Sequence, residues 1–116
     1  MKVSFEGIGD VMVTFEAGEN VIPYSPVKIC GNGTVGPCVD GDVFDGIAMD
    51  VTEDGYASVL MHGYAVLGYT GAAPAFGKCS LVSNGRLGTR VDANGTAGKR
   101  TVVMVDPGSK TVGFFI

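Results

Sequence analysis

Hydrophobic and polar residues alternate along short stretches of this chain, and glycine repeatedly cuts the stretches off. Val11, Val13 and Phe15 share one face of an extended segment while Met12, Thr14 and Glu16 share the other, which is the period-two signature of a strand. The same reading predicts ten strands, at 3–6, 11–16, 26–30, 43–51, 56–61, 64–69, 78–83, 87–91, 100–106 and 111–116. All are rich in the Val, Phe, Tyr and Ile that suit a pleated, half-buried surface. Six turn dipeptides punctuate the chain: Asn32-Gly33, Asp40-Gly41, Asp54-Gly55, Asn84-Gly85, Asn94-Gly95 and Pro107-Gly108. Asn-Gly and Asp-Gly tolerate the positive φ angles of tight hairpins, so each marks a chain reversal. His62-Gly63 reads differently, as a bulge or bend inside one long strand. No stretch carries apolar residues at helical spacing without Gly or Pro to break it. The pattern therefore predicts an all-β fold, a single small β-barrel or sandwich of about ten short strands with little or no helix.

The two ends and one loop stand apart from this pattern. Residues 70–77 form a weakly polar connection carrying Phe76, and Gly7-Ile8-Gly9 is a flexible link. The chain thus divides into an N-terminal arm or edge strand (1–9) and a β domain (10–116), with Met1, Val3 and Phe5 the arm's candidate contact residues. The last residues, Val112-Gly113-Phe114-Phe115-Ile116, are too apolar to lie free in water. They are expected in a paired strand, a subunit interface or both. Phe76, Phe114, Phe115 and Ile116 complete the set of interface candidates.

Composition narrows the function classes. At 116 residues the chain fits one domain, and 46% hydrophobic residues is too apolar for a disordered segment. Charged residues make up only 17%, with a formal net charge of −4 and no Lys/Arg cluster, a poor footprint for nucleic acid. No apolar run suits a signal peptide or a membrane span, so synthesis and folding in a cytoplasm are expected. Cys30, Cys38 and Cys79 are an odd number with the wrong spacing for zinc, and read as small thiols, although Cys30 and Cys38 lie where a hairpin can bring them together. His62 is the only histidine and has no local nucleophile or orienting carboxylate. Asp40, Asp42, Asp45, Asp50, Glu53 and Asp54 lack the ligand spacing of a calcium loop and read as turn residues. No catalytic, metal or cofactor site is predicted, and the chain is not read as an enzyme.

Several segments nevertheless carry a resemblance. They are Ser25-Pro-Val-Lys-Ile-Cys30, Asn32-Gly-Thr-Val, Asp42-Val-Phe-Asp-Gly-Ile47, Ala57-Ser-Val, Gly63-Tyr-Ala-Val, Gly77-Lys-Cys-Ser-Leu, Asn84-Gly and Val91-Asp-Ala-Asn-Gly95. Thr101-Val-Val-Met-Val-Asp106 and Lys110-Thr-Val-Gly-Phe-Phe-Ile116 are the most distinctive. Together they resemble the small decoration, or cement, proteins of tailed phages and prophages, especially those of Firmicutes. The resemblance implies a virion protein on the outer capsid surface that locks neighbouring capsomers together. It further implies the major capsid protein as partner and a homo-oligomer, a trimer, with neither nucleic acid nor membrane involved. Two rivals share the β-rich character. One is a tail-tube or fibre-base component; the other is a small barrel binding a glycan or apolar ligand through Tyr24, Tyr56, Tyr64, Tyr69 and Phe76.

Overall fold

A computed structural model describes residues 9–85, 87–92 and 99–116. It contains ten strands and, among the described residues, no helix. β1 (Val11–Ala17), β2 (Ser25–Gly31), β3 (Thr34–Pro37), β4 (Gly46–Val51) and β5 (Tyr56–His62) close into one barrel in the order β1-β3-β2-β4-β5. β6 (Tyr64–Thr70), β7 (Gly77–Ser83), β8 (Thr89–Val91), β9 (Lys99–Asp106) and β10 (Thr111–Phe115) close into a second, in the order β10-β6-β8-β7-β9. The all-β expectation holds, with two five-stranded barrels in place of a single one.

The two barrels follow the same path. In each, the first strand runs parallel to the third (β1 with β3, β6 with β8), and every other neighbour is antiparallel. Each fourth strand carries one extra residue against its fifth. Ala48 and Asp50 face Val59 and Ser58, leaving Met49 unmatched; Val102 and Met104 face Phe114 and Gly113, leaving Val103 unmatched. A bulge in the same place on the same connection identifies the molecule as a structural duplication.

One ribbon holds the halves together. The cross-strand pairs Ile47–Leu60 and Ala48–Val59 are neighbours in β4 and β5, and all four side chains are buried. Successive residues of a strand point to opposite faces, so this ribbon is apolar on both. Ala48 and Val59 join Val21, Val27, Val35 and Ala57 in a small core inside the first barrel. Ile47 and Leu60 join the second barrel's interior, which includes Leu67, Leu81, Val102, Val112 and Phe114. Phe44, from the loop between β3 and β4, is fully buried in that second core and meets the Phe114 ring edge-on, centroids 6.0 Å apart at 63°.

Several boundaries differ from the sequence reading, each for a physical reason. β3 is a strand that its Gly36-Pro37 ending concealed. Residues 43–45 are a loop because Phe44 is an inserted wedge, so β4 begins only at Gly46. Residues 87 and 88 precede β8, which is confined to Thr89–Val91. His62-Gly63 is not a bend within one strand; it is where the chain leaves one barrel and enters the other. Gly63 has φ 133, and a Cβ there would lie 2.2 Å from Asp10 Oδ1, so glycine is required. The expected strand at 3–6, the arm with Met1, Val3 and Phe5, and the Asn94-Gly95 turn lie outside the described residues.

Replacing Phe44 by Ala should cost about 3–5 kcal/mol, the usual range for deleting a buried aromatic, and should destabilise both barrels in one transition. Two separated transitions in chemical unfolding of the wild type would contradict the shared wall. Gly113 offers a second check, because a Cβ there would lie 2.0 Å from Tyr64 Oη and 2.8 Å from its Cζ. Gly113→Ala should cost about 1–3 kcal/mol through overpacking, and much less in a Tyr64→Ala background.

Candidate functional site

The duplication places two aromatic side chains at matching positions. Tyr24 immediately precedes β2, the second strand of its barrel, and Phe76 immediately precedes β7, the second strand of the other. Both stand out from the surface, 62% and 71% exposed. Tyr24 sits at φ 60, in the left-handed region that a bulky side chain rarely adopts, at a cost of order 1–3 kcal/mol. Its N–H donates to the Ala48 carbonyl at 2.6 Å, and the next residue's hydroxyl, Ser25 Oγ, donates to the Ile22 carbonyl at 2.6 Å. These bonds hold the strained backbone. In the second barrel the positive φ falls one residue later, at Gly77.

An apolar strip continues from Tyr24 across the second barrel. Tyr24, Met49, Tyr64 and Val66 line a hollow of about 280 Å³; Tyr64, Val66 and Met104 line an adjoining one of about 270 Å³. Val66 and Met104 flank Gly113 across β6, β10 and β9, and both are exposed. The Tyr64 ring lies over Gly113 and packs on Phe115, centroids 5.5 Å apart. Exposed apolar area arranged in a contiguous strip, unlike scattered single residues, marks an interaction surface. β1 adds an apolar edge. Among the described residues it meets β3 only at Glu16 and Ala17, and Val11, Met12 and Val13 are all exposed.

Charged groups around these surfaces pin loops. Lys28 Nζ donates to Asp42 Oδ2 at 2.6 Å, and the same carboxylate accepts the Val39 N–H at 3.0 Å. The Lys28 bond, then the backbone one, hold Asp42 below the usual carboxylate range, and Lys28 is raised in return. Arg90 on β8 reaches across to Asp40 at 2.7 Å, tying the β3–β4 loop to the second barrel. Asp45 accepts the Ile29 N–H at 2.9 Å. Asp106, bonded by Ser109 and by the Gly108 N–H, is likewise lowered. The carboxylates at 40, 42, 45 and 106 thus serve turns, as the sequence suggested for the first three. No group of three or more potential metal ligands occurs among the described residues.

The cysteines are unpaired: Cys30 is exposed, Cys38 and Cys79 are buried. Burial, assisted by the nearby Asp42 charge, pushes the Cys38 thiol up to about 11. Among the interface candidates, Phe76 is exposed as a contact residue must be. Phe114 is corrected to a core residue: it is fully buried against Phe44 and can touch no partner. Phe115 and Ile116 are half-buried, and the Ile116 N–H is bonded to the Gly63 carbonyl at 2.9 Å. The C-terminal strand is therefore paired, as its apolarity required. Tyr69 points inward, 5% exposed, and drops out of the exposed aromatics. Met49, Val66 and Met104 escaped the sequence reading; the alternation of β6 around buried Ala65 and Leu67 was the one available signal for Val66.

No protein-family model and no curated protein matches the sequence.

Two outcomes follow from these environments. Asp42 and Asp106 stabilise the fold while ionised, so their contribution is complete above the ordinary carboxylate range near 4 and is lost as pH falls through their lowered values. Urea midpoints should therefore decline on acidification, and Asp42→Asn should lower the neutral-pH midpoint while flattening the acid limb. With a thiol reagent at neutral pH, Cys30 should label first in the native protein, and Cys38 only on unfolding. Equal labelling rates for both would contradict the burial assigned to Cys38.

Proposed function

We propose that this chain is a structural binding protein that adds to the outer surface of a phage capsid and holds neighbouring capsomers together. The observation that carries the reading is the pair Tyr24 and Phe76, two exposed aromatics at equivalent positions of a duplicated fold joined by one core. A body that displays the same kind of contact twice suits a partner whose surface repeats, as a lattice of major capsid protein does. Contacts made by one body reinforce each other through effective concentration, and assembly as a trimer multiplies them again. The sequence segments that resemble decoration proteins supply the identity of the lattice. An exposed aromatic beside apolar surface, as Tyr24 is, also matches the residues that dominate protein interfaces.

Mixing the purified protein with capsids that lack it should give saturable occupancy and a higher capsid melting temperature. Tyr24→Ser and Phe76→Ser should each weaken binding about tenfold or more, a loss of about 1.4 kcal/mol, while leaving the isolated protein's melting temperature nearly unchanged. Tyr24→Gly should even raise that temperature slightly, because it relieves the strained φ. No binding by the intact protein, or full binding by the double Ser variant, would refute the reading. The same aromatics suit stacking on a sugar ring, which is the second reading. Glycan capture by the isolated protein, lost in the Ser variants, would favour it over the capsid.

A further inference from the structure

The first barrel closes through a short contact that leaves one edge of β1 open. β1 pairs with β5 without a break from Met12 to Glu16, and the one irregularity lies on β5, where Met61 is unmatched. On its other side β1 meets β3 only at Glu16 and Ala17. The Glu16 N–H donates to the Gly33 carbonyl at 2.8 Å, whereas the Ala17 N–H donates to the Gly55 carbonyl, beside β5, at 2.8 Å. Backbone groups alternate sides along an antiparallel strand, so Val13 and Phe15 face β5 while Met12 and Thr14 face the side that β3 does not reach. No described strand pairs with the N–H and C=O of those two residues. Natural sheet edges are blunted with Lys, Pro or a bulge. Residues 11–15 carry no Lys or Pro, and the bulge is on the other strand.

The open edge is apolar on one face and acidic at one end. Val11 and Val13 share the face of Phe15, which packs against the first core, and both are exposed. Where β3 joins, Glu16, Glu19, Glu53 and Asp54 are all exposed, the last two in the turn whose Gly55 bonds Ala17. Among the described residues none of these four forms an ion pair.

We infer that the open edge of β1 receives an extended segment of a partner protein as an added strand, with Val or Ile at alternate positions and Lys or Arg at the end beside Glu16. Backbone hydrogen bonds to Met12 and Thr14 supply the pairing. The alternate apolar side chains extend the layer formed by Val11, Val13 and Phe15, and the basic residue meets the acidic end. Charge complementarity selects this occupant over a second copy of the chain, whose own net charge is −4. Any segment of this pattern satisfies the requirement, whatever protein presents it, so the capsid reading is not involved and the test needs no capsid.

The probe is the capped peptide Lys-Val-Thr-Val-Thr-Val-Lys, titrated into the full chain and followed by NMR-detected amide exchange. The same peptide with Glu at both ends, and one with two central prolines, serve as comparisons. In the free protein the Met12 and Thr14 amides should exchange about tenfold or more faster than those of Val13 and Phe15, which bond to β5. The Lys peptide should slow Met12 and Thr14 saturably, by about tenfold or more, while the proline peptide has no effect and the Glu peptide binds more weakly. Thr14→Pro removes an outward N–H, spares the bonds to β5 and should abolish the response. Because a proline can also unsettle the strand, Glu16→Gln gives an independent reading. It should weaken Lys-peptide binding about two- to fivefold, as expected for exposed charges, without weakening the Glu peptide. Met12 and Thr14 amides already as slow as their neighbours at low protein concentration would show that the chain covers its own edge. Slowing that grows with protein concentration would assign the edge to a second copy. Either result overturns the inference, as does a full response to the Glu or the proline peptide, or none to the Lys peptide.

Discussion

The molecule depends on one ribbon that must be apolar on both faces. Ile47 and Leu60 look one way, Ala48 and Val59 the other, and each pair completes a different core. A strand half-buried on one side tolerates alternation; one buried on both sides needs consecutive hydrophobics, which is why β4 reads Ile-Ala-Met and β5 reads Val-Leu-Met. Each fully buried aliphatic side chain contributes about 1.5–3 kcal/mol, so the wall between the barrels stabilises them as a pair. Phe44 strengthens this coupling because it belongs by sequence to the first half and by packing to the second.

Duplication explains why the halves look alike in path and different in content. Val59 and Phe114 occupy equivalent places opposite the bulged strands, one a small aliphatic residue and the other an aromatic. The fully buried side chains of the first barrel are all small, with Phe15 and Met61 packed against them only partly buried, whereas the second must fill the space up to Phe44, and Phe114 spans it. Interiors packed near crystal density require such complementary changes in size, and these erase residue identity while the hydrogen-bond order persists. Among these changes, Tyr24 and Phe76 have both stayed aromatic and both stayed exposed. Packing within the chain gives no reason for that.

Much of the fold was legible because local chemistry dictated it. Asn32-Gly33 turns β2 into β3 and Asp54-Gly55 turns β4 into β5, as dipeptides of that kind should. What could not be read depended on the partner across the sheet. Residues 43–45 look like strand until Phe44 is seen to leave the sheet for a core formed mostly by residues far along the chain. Gly63 looks like a bulge until the two strands around it are assigned to different barrels. Phe114 and Phe115 look equally sticky, and only the register of β10 against β6 and β9 turns the first inward and leaves the second beside Tyr64. The surface was half visible: Tyr24 and Phe76 could be named as exposed aromatics, but their equivalence required the topology.

Strain at Tyr24 bears on how such a surface would bind. A left-handed backbone under a bulky side chain persists only where its surroundings over-determine it, and here the Ala48 carbonyl, the Ser25 hydroxyl and the following buried Pro26 do so. The backbone beneath the ring is consequently held in place before any partner arrives. Ordering a side chain on association costs about 0.5–1.5 kcal/mol, and a backbone already fixed by folding spares the further cost of ordering the segment that carries it. The loops around it are pinned by short polar contacts such as Lys28–Asp42 and Arg90–Asp40, whose charges are satisfied within the chain and are not free to steer a partner.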